Sequence, residues 1–339
     1  LSRAICDVAC LEREQRCKLG SGMVWIAEGP VERRTKLPGG FCLNRALLEI
    51  ACNITVYRIT PIFMTLRNAT VIETWDWPSE MKKVAKIFDG HEGVFVQFGD
   101  SLTLAEPNTV WARTGNGQTP KERTFLKWAH AGENNEKDGW YLAATPIQTQ
   151  GRYCTTFTAS IGCSAKYSLR GRRGLPPLRE LIAAYNPQMA LYAIGASDII
   201  RNTPVDKYIE HVERAINLLK KNGTVPILST LAPFREQHDD VLKTNQALRK
   251  LAEQKKVPLL DLYAEMKNRN KDVFEFLADD AVHLTWTPPK GPPTEVHFLK
   301  SGYSLRCYLT VRKGMEIKEK VFDVRRFARG HKQQNSEGD

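Results

Sequence analysis

Val94-Phe-Val-Gln-Phe-Gly-Asp-Ser-Leu-Thr103 is the segment from which the architecture can be read. Its opening residues, VFVQF, form an apolar run too short for a helix and bounded by Gly99, so they read as a buried strand. Asp100, Ser101 and Leu102 follow at once. Ser101 is thereby expected at the carboxyl end of a strand, the edge at which open α/β sheets bind ligands. A bare Gly-Asp-Ser-Leu string arises by chance; its position directly after a strand gives it weight.

Working outward, MALYAI (189–194), TVPILST (224–230) and VPLLDL (257–262) are runs of the same kind, bounded by turn residues. Helical patterns alternate with them. WPSEMKKVAKIF (77–88) has Pro78 and Ser79 near a helix start and places Met81, Val84, Ile87 and Phe88 on one face. LRELIAAY (178–185), the stretch 205–223 ending on Gly223, and 239–256 read likewise. Strand alternating with helix predicts a parallel sheet covered on both faces. The polar, Trp- and Gly-rich segment Leu104 to Thr149 interrupts the rhythm, with RTFLKWAHAG (123–132) as a helix inside it. An insertion placed after the first strand is expected to overhang the site.

The regular region is expected to span 71–311, followed by a basic tail over 312–339 that frays at its end. Residues 1–70 show neither a helical period nor clean alternation. They read either as an N-terminal extension outside the fold, with Met64 a candidate start, or as a small accessory domain.

With 339 residues, 42% hydrophobic and 26% charged, the chain has the composition of a globular protein. The most apolar stretch, Ile54 to Leu66, is broken by Arg58, Thr60 and Pro61, so no membrane span is expected. No signal peptide is evident, and a secreted or periplasmic location is compatible with the sequence. The formal charge of +11 is not gathered into a tract with interleaved aromatics, which argues against a nucleic-acid partner. Eight cysteines include no CxxC pair, and no histidine precedes His91. A metal knuckle in the early segment is not expected on that pattern, and no metal or cofactor is expected.

A serine is a weak nucleophile unless a base takes its proton and fixed donors stabilise the developing oxyanion. Asp280-Ala-Val-His283, after the last strand, supplies such a base: the spacing lets Asp280 hold the imidazole from its far side. Cys163 is the other nucleophile to weigh. No histidine partners it by spacing, so it reads as a small buried cysteine.

These residues resemble the SGNH, or GDSL-type, hydrolase family. The likeness runs through four ordered blocks: VFVQFGDSLT, ASIGCSAKYS (159–168), IGASD (194–198) and DAVHLT (280–285). It implies a three-layer α/β/α flavodoxin-like fold with a mainly five-stranded parallel sheet. It also implies Ser101, Asp280 and His283 as catalytic residues, and an oxyanion hole of the Ser101 and Gly162 backbone N–H groups. The family's third donor is an asparagine, and here that position is Ser197. Its shorter hydroxyl serves either as a weak donor or as mere filler between Gly195 and Asp198.

A second departure is WTPPKGPPTEVHFLK (286–300), an insertion whose prolines predict a stiff extended loop beside the histidine. Trp111, Trp128, Trp140 and Trp286 read either as sugar-stacking platforms or as packing. The ASIGCSAKYS block looks most like carbohydrate acetylesterases. The implied function is therefore a serine esterase that removes an acetyl or other acyl group from a small-molecule or carbohydrate ester. The alternative is a sugar-binding or scaffolding protein that keeps the fold with weakened chemistry.

Overall fold

The apolar runs become strands: β1 Phe95–Gly99, β2 Met189–Ala193, β3 Val225–Ser229 and β4 Leu259–Leu260. This computed structural model describes residues 73–129, 158–172, 174–288 and 293–323, all within the unit Asn68–Asp339. The expectations for residues 1–70, for Trp140 and for 324–339 of the tail lie outside the described residues.

All strand pairs are parallel, in the order β1-β2-β3-β4, with Gly99 opposite Ala193. On the other edge of β1, Ala159 forms a single parallel bridge to Gly99, whose carbonyl accepts from Ser160 N at 3.3 Å. Counting that segment, the order is the 2-1-3-4-5 of a flavodoxin-like sheet. The fifth strand is thus one bridge wide among the described residues. β4 is shorter than VPLLDL predicted, because Asp261 turns the chain into the next helix. Its carboxylate accepts from Ala264 N at 3.2 Å and from Arg249 Nε at 2.6 Å.

Helices cover both faces. On one side lie α5 (Ala165–Arg170), α6 (Leu178–Tyr185), α8 (Val205–Lys221) and α9 (His238–Lys255). On the other lie α1 (Trp77–Lys86), α3 (Val110–Thr114), α4 (Pro120–Trp128), α10 (Leu262–Arg269), α11 (Glu295–Leu299) and α12 (Gly302–Ile317). Two further short helices, α2 (Ser101–Leu104) and α7 (Ala196–Ile200), leave the carboxyl ends of β1 and β2. Among the described residues no helix is long and apolar enough to cross a membrane.

Two expectations are corrected, and the described part of the 104–149 insertion, residues 104–129, packs against the far layer. Trp111 meets Tyr308 of α12 edge-on at 5.3 Å, and Phe125 meets Phe95 at 6.4 Å. Gly314 admits the Phe125 ring, since a Cβ there would lie 2.4 Å from its Cζ. Apolar side chains on α3 and α4 needed cover, and α12 provides it. The tail boundary at 312 falls inside α12, which continues into a π-helical turn, Lys318–Asp323, with Ile317 and Val321 fully buried. Finally, the loop 286–300 is not extended throughout: Thr294 caps α11 by accepting from His297 N at 3.2 Å. Arg269 then pairs with Glu295 at 2.9 Å.

Candidate active site

Ser101 opens α2 directly after β1. The turn that presents it is held by Asp100, whose carboxylate accepts from Leu102 N at 3.1 Å and from Gly195 N and Ala196 N at 3.2 Å each. One buried side chain thereby fixes the Ser101 turn and the loop after β2. Burial pushes the Asp100 carboxyl up, and the Arg306 guanidinium opposes that shift. Arg306 reaches in from α12, itself buried, and donates to Thr103 Oγ1 at 2.6 Å. Neither role was read from the sequence; an arginine inside the apolar run GYSLRCYLTV was the available signal.

The strand register sets three candidate donors side by side. Gly99 lies between Ala193 of β2 and the Ala159 bridge, so the loops carrying Ser101, Gly162 and Ser197 leave adjacent strand ends. Gly162 sits in a turn with φ +69°, the left-handed region that favours glycine. Among the described residues, the N–H groups of Ser101 and Gly162 and the hydroxyls of Ser101 and Ser197 make no hydrogen bond. These groups are available to a ligand. Ser197 is buried on α7 beside Asp198, whose carboxylate accepts from Ala165 N at 2.9 Å and so ties α7 to α5. Burial raises the Asp198 carboxyl to about 6, against the Ala165 bond that lowers it.

On the far side of the site, His283 Nδ1–H donates to Asp280 Oδ2 at 2.5 Å. The other Asp280 oxygen accepts from Val282 N at 3.0 Å and His283 N at 2.8 Å. The turn passes through Ala281 at φ +60° and is closed by Ala278 N donating to His283 O at 2.8 Å. Burial would raise the Asp280 carboxyl, but the bonds and charge of His283 outweigh it and hold it at about 2. An ionised Asp280 fixes the tautomer that carries its proton on Nδ1, leaving Nε2 as an acceptor. No hydrogen bond joins Ser101 to His283 among the described residues. Their sequence neighbours Asp100, Leu102, Val282 and Leu284 all line one cavity of about 30 Å³. Such hydrogen bonds often tighten only when substrate binds.

Cys163 is buried, its thiol donating to Ser164 O at 3.6 Å. Burial, with Asp100 nearby, pushes it up to about 12, which removes it as a nucleophile. Trp111 is core. Trp128 donates its indole N–H to Glu92 Oε1 at 3.0 Å, at the end of β1 opposite Ser101. Five residues at about 3.3 Å each separate those ends, too far for a shared sugar. Trp286 is half-buried and lies three residues beyond His283 in the chain.

Residues 98–288 match the GDSL-like lipase/acylhydrolase family. The chain belongs to that family, and its reaction class is carboxylic ester hydrolysis. No curated protein matches the chain. Among solved structures it is similar to a carbohydrate esterase family 3 protein from Talaromyces cellulolyticus. That match has 16% identity and TM-score 0.46, covering 67% of this chain and 99% of the other. A lipase/acylhydrolase from Enterococcus faecalis gives 18% identity and TM-score 0.41, over 66% and 95%. An acetylxylan esterase from Geobacillus stearothermophilus gives 15% and 0.40, over 67% and 96%.

Proposed function

We propose that the chain is a serine esterase in which Ser101 is the nucleophile, His283 the base and Asp280 its orienting partner. The observation that carries this reading is the Asp280 carboxylate, which holds both the imidazole and the backbone of its loop and leaves Nε2 free. Ser101 Oγ attacks the ester carbonyl carbon as its proton passes to His283 Nε2. The carbonyl oxygen becomes an oxyanion facing the N–H groups of Ser101 and Gly162, with the Ser197 hydroxyl as third donor. His283 then protonates the departing alcohol. Water, deprotonated by the same nitrogen, attacks the acyl-enzyme and releases the acid.

The acyl group is acetyl and the alcohol a carbohydrate. Support for an acetyl group comes from the likeness of the ASIGCSAKYS block to carbohydrate acetylesterases. Support for a carbohydrate comes from the half-buried Trp286, three residues beyond His283, and from the ASIGCSAKYS block.

The test is hydrolysis of 4-nitrophenyl acetate, butyrate and octanoate, and of acetylated xylan, by the wild type and Ser101→Ala. Acetate turned over at least ~10-fold faster than octanoate is expected, with Ser101→Ala lowering kcat by ~1000-fold or more. Equal rates for the two proteins would sink the nucleophile. Sugar binding without hydrolysis by either would favour the binding-protein alternative.

A further inference from the structure

Arg172 and Arg201 converge on the loop that carries Gly162, and nothing in the mechanism above uses them. Arg172 Nη1 donates to Ile161 O at 3.0 Å and also to Gly162 O. Arg201 Nη2 donates to the same Gly162 carbonyl at 3.2 Å, while its Nη1 donates to Ser197 O at 3.3 Å. One guanidinium therefore bridges the two loops that supply the second and third oxyanion donors. The ring of Tyr167 lies 5.5 Å from each guanidinium carbon and fixes both in place.

Ile161 C=O and Gly162 N–H are the two ends of one peptide group. A cationic donor on that carbonyl withdraws electron density and makes the N–H a stronger donor, as in any hydrogen-bonded chain in a low-dielectric site. The same contact stops the peptide from rotating, which matters for a glycine at φ +69° with no side chain to anchor it. Charge points the same way. Asp100 and Asp198 are both buried against these loops, and two carboxylates there would repel a forming oxyanion. Arg306 faces Asp100, and Arg201 faces Asp198.

We infer that Arg172 and Arg201 are positioning residues of the oxyanion hole, Arg172 polarising the Gly162 N–H and both fixing the loop that presents it, and so replacing part of what an asparagine at position 197 would supply. The inference rests on the reading of Ser101 as nucleophile. It explains how a site with a serine at that position keeps a functional hole: the deficit in one side-chain donor is met by stronger backbone donors.

The experiment compares Arg172→Gln, Arg201→Gln and Arg201→Lys with wild type, each in a Ser197 and in a Ser197→Asn background. kcat and KM for 4-nitrophenyl acetate are measured, together with the rate at which a fluorophosphonate labels Ser101, since its P=O oxygen occupies the hole during attack. Each glutamine variant is expected to lose kcat and labelling rate by ~10-fold or more with KM within ~2-fold. That is below the ~100- to 1000-fold seen when a donor is deleted outright. Arg201→Lys, which keeps the charge but lacks the planar fork that spans the two carbonyls, should recover only part. In the Ser197→Asn background the loss should shrink to ~3-fold or less.

Unchanged kcat and labelling, a loss confined to KM or to the folded fraction counted by complete labelling, or equal losses in both backgrounds would overturn the inference. Ser101→Ala separates the two layers. If it is as active and as readily labelled as wild type, the nucleophile reading falls and this one with it. If it is dead while the arginine variants are unimpaired, only the arginine inference falls. A wild type neither active nor labelled ends both.

Discussion

At Asp198 the fold holds a carboxylate where ionisation is unfavourable. Its burial raises it to about 6 from an ordinary 3.8, and neighbouring Asp100 adds to the shift, while the Ala165 N–H and Arg201 oppose it. Between those two values the folded protein holds a proton that the unfolded chain has released. Stability from this group is therefore full below about pH 3.8 and declines as pH rises through about 6. Asp198→Asn keeps an oxygen for Ala165 N and removes the ionisation. The variant is expected to match wild type near pH 4 and to exceed it in Tm by pH 6.5, as read from melting curves across that range. A gap of the opposite sign, or none, would refute the assignment. Asp280 behaves in the reverse sense. Held at about 2, it stays ionised through neutral and mildly acid pH, so acid loss of activity above about pH 3 is not its protonation.

The elements that carry the site were legible where one physical signal dominated. β1, β2 and β3 lie within a residue or two of the apolar runs, because a strand buried on both faces leaves an unbroken hydrophobic record. The helices over 178–185 and 205–223 were legible by their faces. α5 was not, since six residues are too few to show a period, and its start depends on Ser164 accepting from Tyr167 N. The candidate triad could be read from local strings, but Asp100, Arg306, Arg172 and Arg201 act across long sequence separations that no local pattern records. The β1–α2 turn shows how tightly such an element is built. A Cβ on Gly99 would fall 1.9 Å from Thr103 Oγ1 and 2.1 Å from its Cβ. Thr103 cannot yield, being fully buried and holding Arg306 at 2.6 Å. Gly99→Ala is expected to cost at least the ~1–3 kcal/mol typical of overpacking, measured by urea unfolding, with activity falling as Ser101 shifts.

At the scale of the whole molecule, α12 joins what the sequence separates. Arg306 offsets Asp100 beside Ser101, Tyr308 packs on Trp111, and Lys313 reaches Glu73 at 3.0 Å. Glu73 in turn accepts from Trp77 Nε1 at 2.6 Å and Leu259 N at 2.5 Å, linking α1, β4 and α12 through one carboxylate. A boundary placed at 312 on charge alone would cut this helix in two. Beyond it lie Ile317 and Val321, fully buried, and Phe322, nearly so. Three such side chains contribute about 1.5–3 kcal/mol each, a sum comparable with the whole ~5–15 kcal/mol that separates a domain from its unfolded state. A chain ending at Val311 is therefore expected to lose its cooperative melting transition. In the full chain, Ile317→Ala should cost about 2–5 kcal/mol by chemical denaturation while leaving kcat per folded molecule unchanged, because it touches the layer and not the site. If the shortened chain melts as sharply and as high as the full one, residues 312–323 are an appendage after all, and charge, not burial, was the better guide to where the domain ends.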